Sequence, residues 1–205
     1  MEKYALNEDQ LAIYFDILKN PNTNKYNIGF YIFFKAEIDL TVFQRALRHL
    51  SSEEKVLRMA IYEDKGEYFQ IVKDDMEPDF LFVDFSDRNI SEKDVKENME
   101  NEVYRKYDLF TGPLVRTLLI KRGADEYCFL VAMHHLISDT TSAKNYFQRF
   151  LYVYERLQKG QEVERNKDNG FLAYLGKYQE STNSIETINF WSEYCREIEI
   201  GRAHV

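Results

Sequence analysis

Apolar residues in this chain switch between helical and strand spacing, and the switches mark out the elements. Leu11, Tyr14, Phe15 and Leu18 fall on one stripe of a helix over 7–20. Asn7, with Gln10 three residues on, has the form of a capping box, and Pro21 and the polar residues to Asn24 end the helix. The aromatic and β-branched run over 26–37 reads as a strand. A second helix follows, opened by Thr41 and Gln44 as a capping box and striped by Phe43, Ala46, Leu47 and Leu50. Segments 56–63 and 67–72 read as paired strands around Asp64-Lys65-Gly66, and 80–85 as a further short strand. Ser91 and Asp94 cap a polar helix reaching to about Tyr107, with Val95, Met99 and Val103 inward.

The second half is more apolar. Segments 114–120 and 127–133 read as strands joined by a turn at 122–125. The longest helix covers 141–159, with Ala143, Tyr146, Phe147, Phe150, Leu151, Tyr154 and Leu157 on a wide buried face and Gly160 as its stop. A polar loop over 161–169 and helices over 171–180 and 188–197 complete the chain. Loosely alternating strands and helices predict a mixed α/β sandwich, helices packed on a sheet. The hairpins keep that sheet from being purely parallel.

Length and charge narrow the function. The 205 residues suit one domain or one large lobe, and 15 Tyr and 15 Phe supply a large apolar core. A net charge of −8 argues against nucleic acid, whose phosphates need clustered Lys and Arg. No apolar run approaches the ~20 residues of a membrane span, and the first ten residues have no signal-peptide core, so a cytoplasmic protein is expected. Cys128 and Cys195 form neither a CxxC nor a disulfide framework; Cys128 reads as a buried small hydrophobe. Phosphate-binding glycine loops and a nucleophile elbow are absent from the sequence.

The chemistry-bearing segment is Met133-His134-His135-Leu136-Ile137-Ser138-Asp139-Thr140-Thr141-Ser142, where an apolar strand gives way to the longest helix. Adjacent strand residues point to opposite faces, so one histidine can pack inward while the other meets a cleft. Imidazole near neutrality suits proton transfer with an amine or hydroxyl nucleophile. Asp139 can cap the helix or hold a backbone or arginine partner, in which case Thr141 or Ser142 takes over the cap. Packing is the more common use of a histidine pair. A metal is not expected, because the two rings diverge and no further ligand has metal spacing. His49 and His204 are isolated and read as surface residues.

The segment resembles the HHxxxDG signature of the condensation domains of nonribosomal peptide synthetases, within the chloramphenicol acetyltransferase fold group. His134, His135 and Asp139 match; Thr140 stands in place of the glycine; Ser142 fits the longer HHxxxDGxS form. Further matches come in order: Leu6 to Gln10 resembles the opening helix motif, and Leu57-Arg58 the LR of a segment whose preceding histidine is absent here. Asp108-Leu109 with Gly112-Pro113-Leu114 and Arg116 resembles a DL..GPL.R stretch. The aromatic helix from Phe171 and the pair Phe190-Trp191 resemble later family features. The resemblance implies an acetyltransferase-like two-layer sandwich, one lobe of a two-lobed domain, with 1–180 the N-terminal lobe and 181–205 the start of the connection to a missing C-terminal lobe. It implies amide formation between carrier-bound thioesters, with His135 catalytic and His134, Asp139, Arg58 and Arg116 structural. A solvated or ion-paired surface arginine is the alternative for both, and the slightly favoured one for Arg116. Ser138, Thr140 and Ser142 are channel candidates; Thr140 adds a side chain where the family has none. No cofactor is expected to bind directly; phosphopantetheine arms of carrier domains are the substrates, and carrier domains, the other lobe and neighbouring synthetase modules the partners. A lobe alone is expected not to turn over. The alternatives are a CoA-dependent O- or N-acyltransferase of the same fold and a noncatalytic carrier-docking lobe.

Overall fold

The computed structural model of the protein describes residues 3–88, 90–165, 170–171, 173–175, 177 and 185–196. The readings over 166–169, 178–184 and beyond 196, His204 included, lie outside the described residues. The chain divides into two compact units, Met1–Lys167 and Asp168–Val205.

In the first unit the order is β1 (Lys3–Ala5), α1 (Glu8–Lys19), β2 (Asn27–Lys35), α2 (Leu40–Glu53), a 3₁₀ turn (Lys55–Arg58), β3 (Met59–Asp64), β4 (Glu67–Val72), β5 (Asp79–Asp84), α3 (Glu92–Tyr104), β6 (Val115–Lys121), β7 (Glu126–His134) and α4 (Thr140–Gln158). The strands form two sheets where the sequence pattern implied one: β2-β7-β6-β5, and a smaller β1-β4-β3. Among the described residues only β5 and β6 pair in parallel, and α3 is the crossover that a parallel pair requires.

β7 lies inside the larger sheet, and every residue from Tyr127 to His134 is buried. A strand covered on both faces reads as a continuous apolar run. Phe129, Val131 and Met133 face α2 and α4, packing with Phe43, Leu47, Phe150 and Val153. Cys128 and Leu130, on the other face, pack with Val95 and Met99 of α3. Burial pushes the Cys128 thiol up to about 11, so it is inert as a nucleophile. The β3–β4 hairpin turns on Lys65 (φ 56°) and Gly66 (φ 85°). Two successive positive φ angles give the I′ geometry that suits the twist of a hairpin.

Several local expectations change. The Asn7–Gln10 capping box forms, but α1 buries Gln10 and Tyr14, leaving Phe15 and Leu18 48% and 47% exposed. The reason lies below the helix: Tyr14 packs on Tyr68 of β4 at 4.7 Å, so the inward face is the 10/14 diagonal. α2 is capped by Asp39, whose Oδ1 accepts from Thr41 N (2.8 Å) and Val42 N (3.1 Å). The aspartate ahead of Thr41 reaches the free N–H groups first, and no Thr41–Gln44 box is needed. In α4 the core takes Val153 while Leu151 is exposed. His49 is half-buried, and burial lowers its pKa, so it is not a surface residue.

In the second unit α5 (Ile185–Arg196) starts three residues before its expected position. Phe190, Trp191 and Tyr194 form a ring cluster along it. The described positions between 170 and 177 are helical. Among the described residues no helix is long and apolar enough to cross a membrane.

Candidate active site

β7 delivers the two histidines and then leaves the sheet. His134 N donates to Leu114 O (2.9 Å) and His135 N to Tyr26 O (2.8 Å), the last backbone bonds before the chain turns. Ile137 N (3.1 Å) and the Ser138 hydroxyl (3.0 Å) both donate to His134 O, closing a tight turn. α4 begins two residues later.

Neighbouring imidazoles end up in opposite environments, as the strand period requires. His134 is 4% exposed, with Tyr107 edge-on at 5.7 Å and Tyr26 at 6.3 Å. Leu136 N–H donates to its Nδ1 at 3.1 Å, so the ring proton sits on Nε2. Burial, and then the neighbouring His135 and Arg116, push its pKa down to about 4; the ring is neutral at pH 7. His135 is exposed, and its Nδ1 lies 2.7 Å from the Ser138 carbonyl. A carbonyl only accepts, so Nδ1 carries the proton and the Nε2 lone pair is left free. Among the described residues Nε2 has no hydrogen-bond partner. The two rings are therefore opposite tautomers. His134 is a fixed structural acceptor, and His135 offers a base aimed away from the fold.

Asp139 resolves its alternatives by capping α4. Its Oδ1 accepts from Ser142 N (2.7 Å) and the Ser142 hydroxyl (2.7 Å), while Ser142 Oγ accepts from Asp139 N (3.2 Å). These bonds hold its carboxyl below the usual range. Among the channel candidates, the Ser138 and Ser142 hydroxyls are thus occupied within the loop and the cap. Thr140, the first residue of α4, is exposed. Lys65 is the one non-glycine with positive φ among the described residues, so Thr140 sits without backbone strain and a glycine's freedom is not needed there.

Both arginines point into the fold. Arg58 donates to the Ser51 (2.8 Å) and Lys73 (2.7 Å) carbonyls, tying the end of α2 to the end of β4. Arg116 is buried and lies flat on the Tyr107 ring, its centre 3.6 Å from the centroid. It donates to the carbonyls of Glu102 (3.1 Å), Arg105 and Lys106 (2.6 Å). The surface reading of Arg116 is therefore corrected: it anchors the α3 exit that carries Tyr107 over His134. Tyr107 went unread in the sequence, as did Gln70; an isolated polar residue inside the run Tyr68-Phe69-Gln70-Ile71 was the one available signal. Among the described residues no cluster of ligating side chains could hold a metal.

The model of the condensation domain matches residues 1–200. This chain belongs to the condensation-domain family. Among curated relatives, tyrocidine synthase 3 of Brevibacillus parabrevis is 29% identical over 154 residues, covering 75% of this chain and 2% of that protein. Bacitracin synthase 3 of Bacillus licheniformis is 22% identical over 191 residues, covering 93% and 3%. The crystal structure of the starter condensation domain of rhizomide synthetase superposes with a TM-score of 0.89 at 21% identity, over 97% of this chain and 48% of that one. A variant of that domain has been solved in complex with C8-CoA. The condensation-domain fold, of the chloramphenicol acetyltransferase type, is thereby shown, and the chain spans about half the length of these solved domains and a small share of the curated synthetases.

Proposed function

We propose that this chain is the histidine-bearing half of a condensation domain, joining two thioester-borne substrates in nonribosomal peptide synthesis. The observation that carries the reading is the free, outward Nε2 of His135, oriented by the Ser138 carbonyl. The acceptor's α-amine attacks the donor thioester carbon; the C–N bond forms and the C–S bond breaks. His135 Nε2 takes the amine proton, which passes to the departing thiolate. A proton transfer so placed contributes roughly 10²–10⁴-fold. Substrates arrive on phosphopantetheine arms of carrier domains, in the cytoplasm, beside neighbouring synthetase modules. A second half completes the channel, with 1–180 assigned to this lobe and 181–205 to the start of the connection between the two. The lobe alone presents one wall and does not turn over.

A His135→Ala change in the full-length protein tests this. Amide formation is expected to fall by roughly 10²-fold or more with carrier binding retained. Unchanged product formation would leave the docking-lobe reading instead. A second reading, a donor carried on CoA, is favoured by the C8-CoA complex of the rhizomide starter-domain variant. It predicts turnover with acyl-CoA and no carrier on the donor side.

A further inference from the structure

Gln10 and Gln70 are 5% and 1% exposed, two neutral amides in the interior of a small fold. They face each other and exchange hydrogen bonds: Gln10 Nε2 donates to Gln70 Oε1 at 3.0 Å, and Gln70 Nε2 donates to Gln10 Oε1 at 3.1 Å. Each amide has a second proton. That of Gln70 goes to Ala5 O at 2.9 Å, and that of Gln10 to Leu136 O at 2.9 Å. Gln10 Oε1 also accepts Asn7 N at 3.0 Å. Ala5 O and Leu136 O only accept, so each amide nitrogen must face its carbonyl and the orientation of the pair is settled.

Leu136 follows His135. Its N–H is held by His134 Nδ1 and its carbonyl by Gln10, so both sides of this residue are pinned by buried side chains. Burying amides costs free energy that their hydrogen bonds offset, and a leucine pair would supply the packing of α1 on β4 but not these partners of Ala5 O, Leu136 O and Asn7 N. What the amides add is a directional donor on the histidine loop. We propose that the Gln10–Gln70 pair positions His135, with Gln10 fixing the Leu136 peptide and Gln70 fixing Gln10. The proposal rests on the catalytic reading of His135, and its test separates the two.

The experiment compares Gln10→Leu, Gln70→Leu and His135→Ala in the full-length protein. It reads single-turnover amide formation, KM for the carrier, thermal stability and the imidazole nitrogen shifts of His135. With Gln10→Leu, turnover falls about ten-fold or more at unchanged KM, since a small misplacement of a reacting group is costly. The His135 shifts move from the Nδ1–H form toward a tautomer mixture. Gln70→Leu, which leaves Gln10 in place, moves both readouts the same way by less. A drop in melting temperature with turnover and tautomer unchanged would overturn the proposal. Should Gln10→Leu fail to fold, Gln70→Leu decides by the same readouts. Full activity of His135→Ala would remove the catalytic reading alone, and the tautomer shift would still decide whether Gln10 positions the ring.

Discussion

The histidine loop is held between two walls of opposite chemistry. Behind it, β7 and α4 meet in a dry core in which Phe43, Phe129 and Phe150 lie with ring centroids 4.7–5.1 Å apart. In front, α1 meets β4 through the paired amides of Gln10 and Gln70 and the Tyr14–Tyr68 contact. The dry wall is non-directional: its strength follows the apolar area removed from water, and any well-filling set of side chains would supply it. The polar wall is directional and fixes one carbonyl in one place. Stability and placement are thus assigned to different regions of the same lobe.

The comparison can be broken first on the dry side. Phe150→Ala should cost about 3–5 kcal/mol, the usual range for emptying a buried phenylalanine site, read by chemical denaturation, while the molecules that remain folded keep the Nδ1–H tautomer of His135. Loss of that tautomer would mean that the two walls are not separable. Next comes His134, which joins them. Its folded pKa is about 4 against the ordinary histidine value, so between these pH values the unfolded chain binds the extra proton. Stability from this group is complete above about pH 6.5 and is lost as pH falls toward 4, by on the order of 3 kcal/mol. Denaturation curves of the parent and of His134→Gln across that window should differ in slope; parallel curves would remove His134 as the cause. The smallest effect is at the cap. Asp139→Ala should lower stability by about 1 kcal/mol, measured the same way, because Ser142 N–H loses its acceptor while the loop bonds of His134 and Ser138 remain.

The two walls were not equally legible in the sequence. The dry one could be read almost residue by residue: the Phe43, Ala46, Leu47, Leu50 stripe is buried throughout, and β7 is the apolar run that its pattern predicts. Hydrophobic period reports burial directly. The polar wall could not be read so. Gln10 was recognisable through the capping box, a local bond to Asn7, but its links to Gln70 and Leu136 span the fold, and nothing in a periodic pattern marks a glutamine turned inward. The same limit misassigned α1, where Phe15 and Leu18 drew the stripe away from Gln10 and Tyr14. Arg116 likewise looked like a surface charge because its partners, the carbonyls at the exit of α3 and the Asp79 carboxylate 3.5 Å from its Nε, lie far from it in the chain. The histidine pair was visible as a motif; which ring proton each carries required the loop.

The pairing of β2 with β7 sets Asn27 opposite His134. Roughly a hundred residues lie between them, and such non-local pairings close slowly because chain entropy is spent before contacts repay it. During synthesis β2 therefore waits, unpaired along the edge it will share with β7, until most of the lobe has left the ribosome. The tight turn carrying His135 can form only after that wait, since its backbone N–H needs Tyr26 O. The loop of the paired histidines is thus among the last parts of this lobe to take shape, and assembly of the sheet sets the moment at which the two rings reach their opposite environments.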